Sequence, residues 1–171
     1  MHLLRDTLPE ARHRSRLRLI GVGNRWRGDD AAGLVVAAAV AARRRTKVEV
    51  LEHEGEPLEL IEACQGADEV WMVDAVSSDA PAGTLHRFEA GDQPLPSALF
   101  RVSTHRLGLA EALELARTLG RLPPRVVVHG IEGARFDPGL PLSPEVADAA
   151  ERLTRTLVAD LELREEQDRQ T

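Results

Sequence analysis

One stretch near the start of the chain limits the folds open to it. The apolar run Leu17-Arg18-Leu19-Ile20-Gly21-Val22 breaks at Gly23-Asn24 and crosses Arg25-Trp26-Arg27-Gly28. It then reaches two adjacent carboxylates, Asp29 and Asp30, at the head of the alanine-rich segment 31–45. Strand, glycine turn and helix start, in that order, make the first unit of an α/β domain. In open α/β sheets, sites form outside the carboxyl ends of such strands. Two chemistries compete for this turn. It can cradle a dinucleotide, or it can present an acid to a metal.

The rest of the chain repeats the alternation. Val48 to Glu52 reads as a second strand, and Pro57 suits the first position of a helix running to about Cys64. Glu69 to Val76 is an unbroken apolar run interrupted by a single carboxylate, Asp74, as in strands covered on both faces. Thr84 to Glu89 alternates, which suits a half-exposed edge strand. A helix follows from Leu107 to near Gly120, then a buried strand from Arg125 to Ile131. Ser143-Pro144 is the N-cap and first turn of a last helix ending near Leu163. The pattern predicts a three-layer α/β/α sandwich on a mostly parallel, roughly five-stranded sheet with one antiparallel edge strand. Residues 1–15 are read as a flexible lead-in, 16–163 as a single α/β domain, and 164–171 as a charged, frayed tail.

Bulk properties exclude several function classes. At 171 residues the chain suits one domain, and a formal charge of −6 argues against nucleic acid or an anionic membrane as partner. A single cysteine permits no internal disulfide, and no apolar run has the length of a signal core or a bilayer span. The expectation is a soluble cytoplasmic protein.

The dinucleotide fingerprint needs a third glycine where Arg25-Trp26 stand, and paired carboxylates at a helix start repel a pyrophosphate. Glu52 alone mimics the ribose-binding acid. The metal reading draws on Asp30 after the first strand, Asp74 ending the third, and His105 before a later helix. In a parallel sheet with right-handed crossovers these fall on one carboxyl edge. Two carboxylates and an imidazole leave coordination positions open on a divalent transition ion. Each has a plainer role: Asp29 or Asp30 as a helix cap, His105 as a hydrogen-bonded helix-start histidine. Asp74 is the hardest to dismiss, because a carboxylate ending Val-Trp-Met-Val needs a partner. His129 reads as a satisfied core histidine, Cys64 as a buried bystander, and the serines lack a nucleophile elbow.

Gly21-Val22-Gly23-Asn24 with Gly28-Asp29-Asp30-Ala31-Ala32-Gly33, then Val73-Asp74-Ala75-Val76, Pro81-Ala82-Gly83-Thr84 and Ser103-Thr104-His105-Arg106-Leu107-Gly108-Leu109, resemble the nickel–iron hydrogenase maturation endopeptidases. The resemblance runs in order from about Leu17 to Leu163. It implies a protease that removes a C-terminal extension from the hydrogenase large-subunit precursor once nickel has been inserted. Asp30, Asp74 and His105 match the residues that recognise the nickel and serve catalysis. Asp29 matches an acid that is less clearly a ligand. The nickel would arrive with the precursor, although another divalent ion could fill the site in vitro. Many members carry an Asp-Gly-Gly-Thr-like segment where this chain has Glu54-Gly55-Glu56, which marks those three residues as a substrate-specificity loop. Two alternatives accompany this reading: a non-catalytic checkpoint protein that binds the nickel-loaded precursor, and a dinucleotide-binding α/β domain. On the protease reading, the glycine turn clears space beside the sheet for a bulky protein substrate and aims Asp30.

Overall fold

The computed structural model describes residues 16–91, 93–100 and 108–170. In chain order these are β1 (Leu17–Val22), a one-turn 3-10 helix (Gly28–Ala31), α1 (Ala32–Arg43), β2 (Glu49–His53), α2 (Pro57–Cys64), β3 (Glu69–Val76), β4 (Leu85–Glu89), a second 3-10 turn (Ser97–Phe100), α3 (Leu109–Thr118), β5 (Arg125–Glu132) and α4 (Pro144–Gln170). The sheet order is β2-β1-β3-β5-β4. β1, β2, β3 and β5 run parallel, and β4 pairs antiparallel with β5 at the edge. This is the expected three-layer sandwich.

Every residue of β3 is buried, because helices cover both faces of the sheet. On one face Ile20, Met72, Val76 and Val128 pack with Leu60, Leu109 and Leu113 of α2 and α3. On the other, Leu19, Trp71, Val73 and Ile131 pack with Val36, Val40, Leu153 and Leu157 of α1 and α4. The chain leaves β1 outward to β2 and returns to β3 on the opposite side of β1. The sequence direction of the sheet therefore reverses between β1 and β3, and a crevice opens outside their carboxyl ends.

Glycine decides how closely α1 lies on that crevice. A Cβ at Gly33 would overlap the carbonyl oxygens of both Val22 and Val73. A Cβ at Gly21 would overlap the Gly33 carbonyl and Ala37. The helix start therefore sits backbone-on-backbone over β1 and β3.

Two regions depart from expectation or sharpen it. The last helix continues to Gln170 rather than fraying after Leu163. The Arg164 guanidinium donates to Glu69 Oε2 at 2.8 Å and lies 5.2 Å from the centre of the Trp71 ring. Glu165 accepts the Lys47 N–H at 2.8 Å. These contacts hold the extra turns against the amino edge of the sheet. His129 is half-buried on the α1/α4 face, its ring T-shaped to Trp71 at 6.3 Å, beside a cavity of about 240 Å³. Residues 1–15 lie outside the described part. Among the described residues no helix is long and apolar enough to cross a membrane.

Two outcomes follow. Gly33→Ala forces α1 off the strands and should destabilise the fold by at least about 2 kcal/mol, read as a lowered urea midpoint. Burial, reinforced by Arg87 against an opposing effect of Glu89, pulls the His129 pKa down to about 4 from its ordinary 6.5. Between these values the unfolded chain holds the extra proton, so stability falls as pH drops from about 6.5 towards 4. His129→Gln should remove up to about 3 kcal/mol of that loss, measured by urea unfolding at pH 7 and pH 4.5.

Candidate active site

The turn after β1 is closed by its own backbone. Asn24 N–H donates to the Asp30 carbonyl at 3.0 Å, Arg27 N–H to the Asn24 carbonyl at 3.2 Å, and Asp30 N–H to the Arg27 carbonyl at 3.1 Å. The Asn24 side chain accepts the Trp26 N–H at 2.9 Å, and Gly28 takes φ of +53°, which favours glycine. A Cβ at Gly23 would overlap the Asp30 carbonyl. The room beside these glycines is thus occupied from within. It neither cradles a pyrophosphate nor clears space for a substrate, which corrects the role expected for the turn. What the closure does is hold Asp30, only 4% exposed, at the head of the crevice, with its Oδ2 3.5 Å from Arg27 Nη1.

Asp74 stands two residues before the end of β3 and is 7% exposed. Alternation places it on the same sheet face as Met72 and Val76, and its neighbour in register on β5 is Gly130. One oxygen accepts the Ala75 N–H at 2.8 Å. Burial, then the charge of Asp30, hold the Asp74 carboxyl well above the usual range, against that hydrogen bond. Two carboxylates therefore share the β1/β3 crevice, and the charge of Asp30 raises the cost of charge on Asp74. A divalent cation between them would offset that repulsion.

Asp29 behaves differently, although it is adjacent. The N-cap positions of the 3-10 helix and of α1 are held by Arg27 and Ala31, so neither Asp29 nor Asp30 is the cap residue of either helix. Fully buried, Asp29 accepts the N–H groups of Ala134 and Arg135 at 2.8 Å and of Ser143 at 2.6 Å, and the Ser143 hydroxyl at 2.9 Å. Burial pushes its carboxyl up, but the hydrogen bonds from Ser143, Ala134 and Arg135 outweigh that and hold it below the ordinary value. Asp29 is the latch of the 133–143 loop.

A further buried acid was not anticipated. Glu132, 1% exposed at the end of β5, accepts the Ser78 N–H, the Ser78 hydroxyl at 2.9 Å and a contact from His86 Nε2 at 3.0 Å. It binds the loop after β3 to the edge strand. A charged residue ending a buried run was the available signal, as it was for Asp74.

His105 lies outside the described residues. The residues flanking its stretch are placed, however. A Cβ at Gly108 would meet the Phe100 carbonyl at 2.6 Å, and the Leu99 carbonyl accepts the Ser77 N–H at 2.9 Å, three residues beyond Asp74. Among the described residues no three His, Cys, Asp or Glu side chains converge to hold a metal. Glu54 and Glu56 are exposed at the carboxyl end of β2, with Gly55 at φ +90° between them. Gly23 N–H donates to the His53 carbonyl at 3.1 Å and ties that end to the β1 turn. Cys64 is buried and its thiol is pushed up to about 12 by burial, although the nearby Arg18 charge opposes the rise, so it is a bystander.

A family model described as HycI, hydrogenase maturation protease, matches residues 34–160. The hydrogenase 2 maturation protease of Escherichia coli (strain K12) is 30% identical over 151 residues, covering 85% of this chain and 90% of that protein. Hydrogenase expression/formation protein HupD of Thiocapsa roseopersicina is 29% identical over 149 residues, which span 84% of this chain but only 65% of HupD. Among solved structures, the hydrogenase maturating endopeptidase HybD from E. coli superposes with a TM-score of 0.69 at 26% identity, covering 86% of this chain and 92% of that one. The [NiFe] hydrogenase maturation protease HycI from Thermococcus kodakarensis KOD1 has the same fold, with a TM-score of 0.70 at 24% identity over 88% of this chain and 95% of that one.

The latch assignment for Asp29 has a direct test. Asp29→Ala leaves three N–H groups, that of Ser143 buried, without their acceptor and should cost about 3 kcal/mol in urea unfolding. Limited proteolysis should show earlier cutting within 133–143.

Proposed function

The chain belongs to the hydrogenase maturation protease family, and from that membership we propose that it removes a C-terminal extension from a nickel–iron hydrogenase large-subunit precursor after nickel insertion. The nickel belongs to the substrate. Asp30 and Asp74 engage it through carboxylate oxygens and His105 through its imidazole, and the bound ion fixes the scissile segment at the carboxyl edge. Only loaded precursor is then cut, in the cytoplasm.

The observation that carries this reading is the shared crevice of Asp30 and Asp74 at the point where the sheet's direction reverses. Burial and its neighbour's charge favour a proton on Asp74 while no cation is present. An arriving divalent ion displaces that proton and turns an unfavourable pair into a ligand pair. The adjacency of Phe100, Gly108 and the end of β3 supports His105 as the third donor. The exposed Glu54 and Glu56, one strand away from Asp30, suit a loop that selects which precursor is accepted. The closed glycine turn disfavours the dinucleotide alternative.

Nickel-loaded and nickel-free precursor, incubated with the protein and weighed by mass spectrometry, test the proposal. Loaded precursor should lose its extension and nickel-free precursor should stay intact; equal cleavage of both would overturn metal recognition. Asp74→Asn, Asp30→Asn and His105→Ala should each slow processing by roughly a hundredfold or more while circular dichroism stays native. Full activity in any of them removes that residue from the site. Binding of loaded precursor without any cutting would instead favour the checkpoint reading.

A further inference from the structure

A buried carboxylate is costly unless a partner offsets its charge, and Asp30 is buried. Arg27, three residues earlier, supplies such a partner: its Nη1 lies 3.5 Å from Asp30 Oδ2. Ion pairs at this spacing on an open surface contribute little. This one differs in burial and in construction. The Asp30 side chain is 6% exposed and that of Arg27 23%. Both hang from one closed turn, since the Arg27 N–H donates to the Asn24 carbonyl and the Arg27 carbonyl accepts the Asp30 N–H. Gly28, between them, packs on the Arg135 carbonyl and holds the turn from the other side. The backbone therefore keeps the two side chains together, while partial exposure leaves the guanidinium a path outward.

A guanidinium stays charged at every pH a folded protein meets. It and a metal ion can share Asp30 Oδ2 only by bringing two cations together. A metal–oxygen bond of about 2 Å would put the ion within about 6 Å of Nη1. Arg27 and a divalent ion are thus competitors for one carboxylate. The neighbouring acids are placed otherwise. Asp29 faces N–H groups and the Ser143 hydroxyl, and Asp74 accepts the Ala75 N–H and makes no ion pair with a described residue.

We propose that Arg27 is a specificity-determining residue of this site, a resident counter-cation that competes with metal ions for Asp30. A free divalent ion has to displace the guanidinium unaided, so it binds weakly and abundant ions do not fill the site. An ion carried by the precursor arrives with the binding energy of the rest of that polypeptide. The precursor's backbone carbonyls also offer acceptors to the released guanidinium. Arg27 thereby ties metal occupancy to the arrival of substrate. The proposal rests on the nickel-recognition reading for the identity of the carrier, whereas the competition at Asp30 stands apart from it.

Titration calorimetry with Ni²⁺ alone tests the competition without any cleavage. Arg27→Gln should bind the ion about tenfold more tightly than the parent protein, and Arg27→Lys, which keeps the charge, should stay within about threefold of the parent. Adding Asp30→Asn to Arg27→Gln should abolish the gain, because ion and guanidinium meet at that carboxylate. In processing of nickel-loaded precursor, added Ni²⁺ should inhibit Arg27→Gln at about one-tenth of the concentration that inhibits the parent. Equal affinity of Arg27→Gln and parent, a gain that survives Asp30→Asn, or no binding by either protein overturns the proposal. Failure of the parent to cut loaded precursor, with the titrations as expected, overturns the protease reading and leaves the competition in place.

Discussion

The geometry of the carboxyl edge depends on a contact between backbones. With no side chain at position 33, the first turn of α1 settles onto the Val22 and Val73 carbonyls, and the Gly21 position gives it room from below. That approach shortens the path from the end of β1 to the helix, and the intervening residues close on themselves. The closure puts Asp30 over the gap between β1 and β3, where the sheet's reversal leaves space beyond the strand ends. A methyl group at position 33 would lift the helix, open the turn and withdraw the carboxylate together.

Besides Asp30, three buried acids near this edge have different fates, and the difference lies in their partners. Asp29 and Glu132 are surrounded by donors, so each serves as a mortar joint between loops distant in sequence. Asp74 has one backbone donor and faces a like charge. A buried carboxylate left in that condition is destabilised, which marks Asp74 as a candidate functional group. Burial alone does not separate a structural acid from a functional one; the count and sign of its neighbours does.

Much of the architecture was legible because it is local. The unbroken run ending at Asp74, Pro57 at a helix start, the Ser143-Pro144 cap and the alternation around Phe88 each report a strand or helix within a few residues. What escaped depends on residues far apart in the chain. The helix runs beyond Leu163 because Arg164 meets Glu69 and Trp71, a pairing with no local trace. Asp29 and Asp30 look alike in sequence, yet Ser143 takes one and the crevice the other. The role of Glu132 comes from Ser78 and His86, both far from it in the chain. The glycine turn itself is legible in the sequence, but what fills the space beside its glycines is backbone of α1, the Asp30 turn and the 133–143 loop, brought there by the fold.

The two edges of the sheet have a consequence for selectivity. β2 and β4 are five residues each, and both carry charge along their length: Glu49 and Glu52 on one, Arg87 and Glu89 on the other, with Arg18 bridged to Glu49 and Arg87 to Glu89 at 2.6 Å. Short, charged edges discourage an extended chain from adding as a sixth strand. An arbitrary unfolded polypeptide thus meets no generic backbone template here. Such a molecule can cut protein without being a hazard to every other nascent chain that shares its compartment.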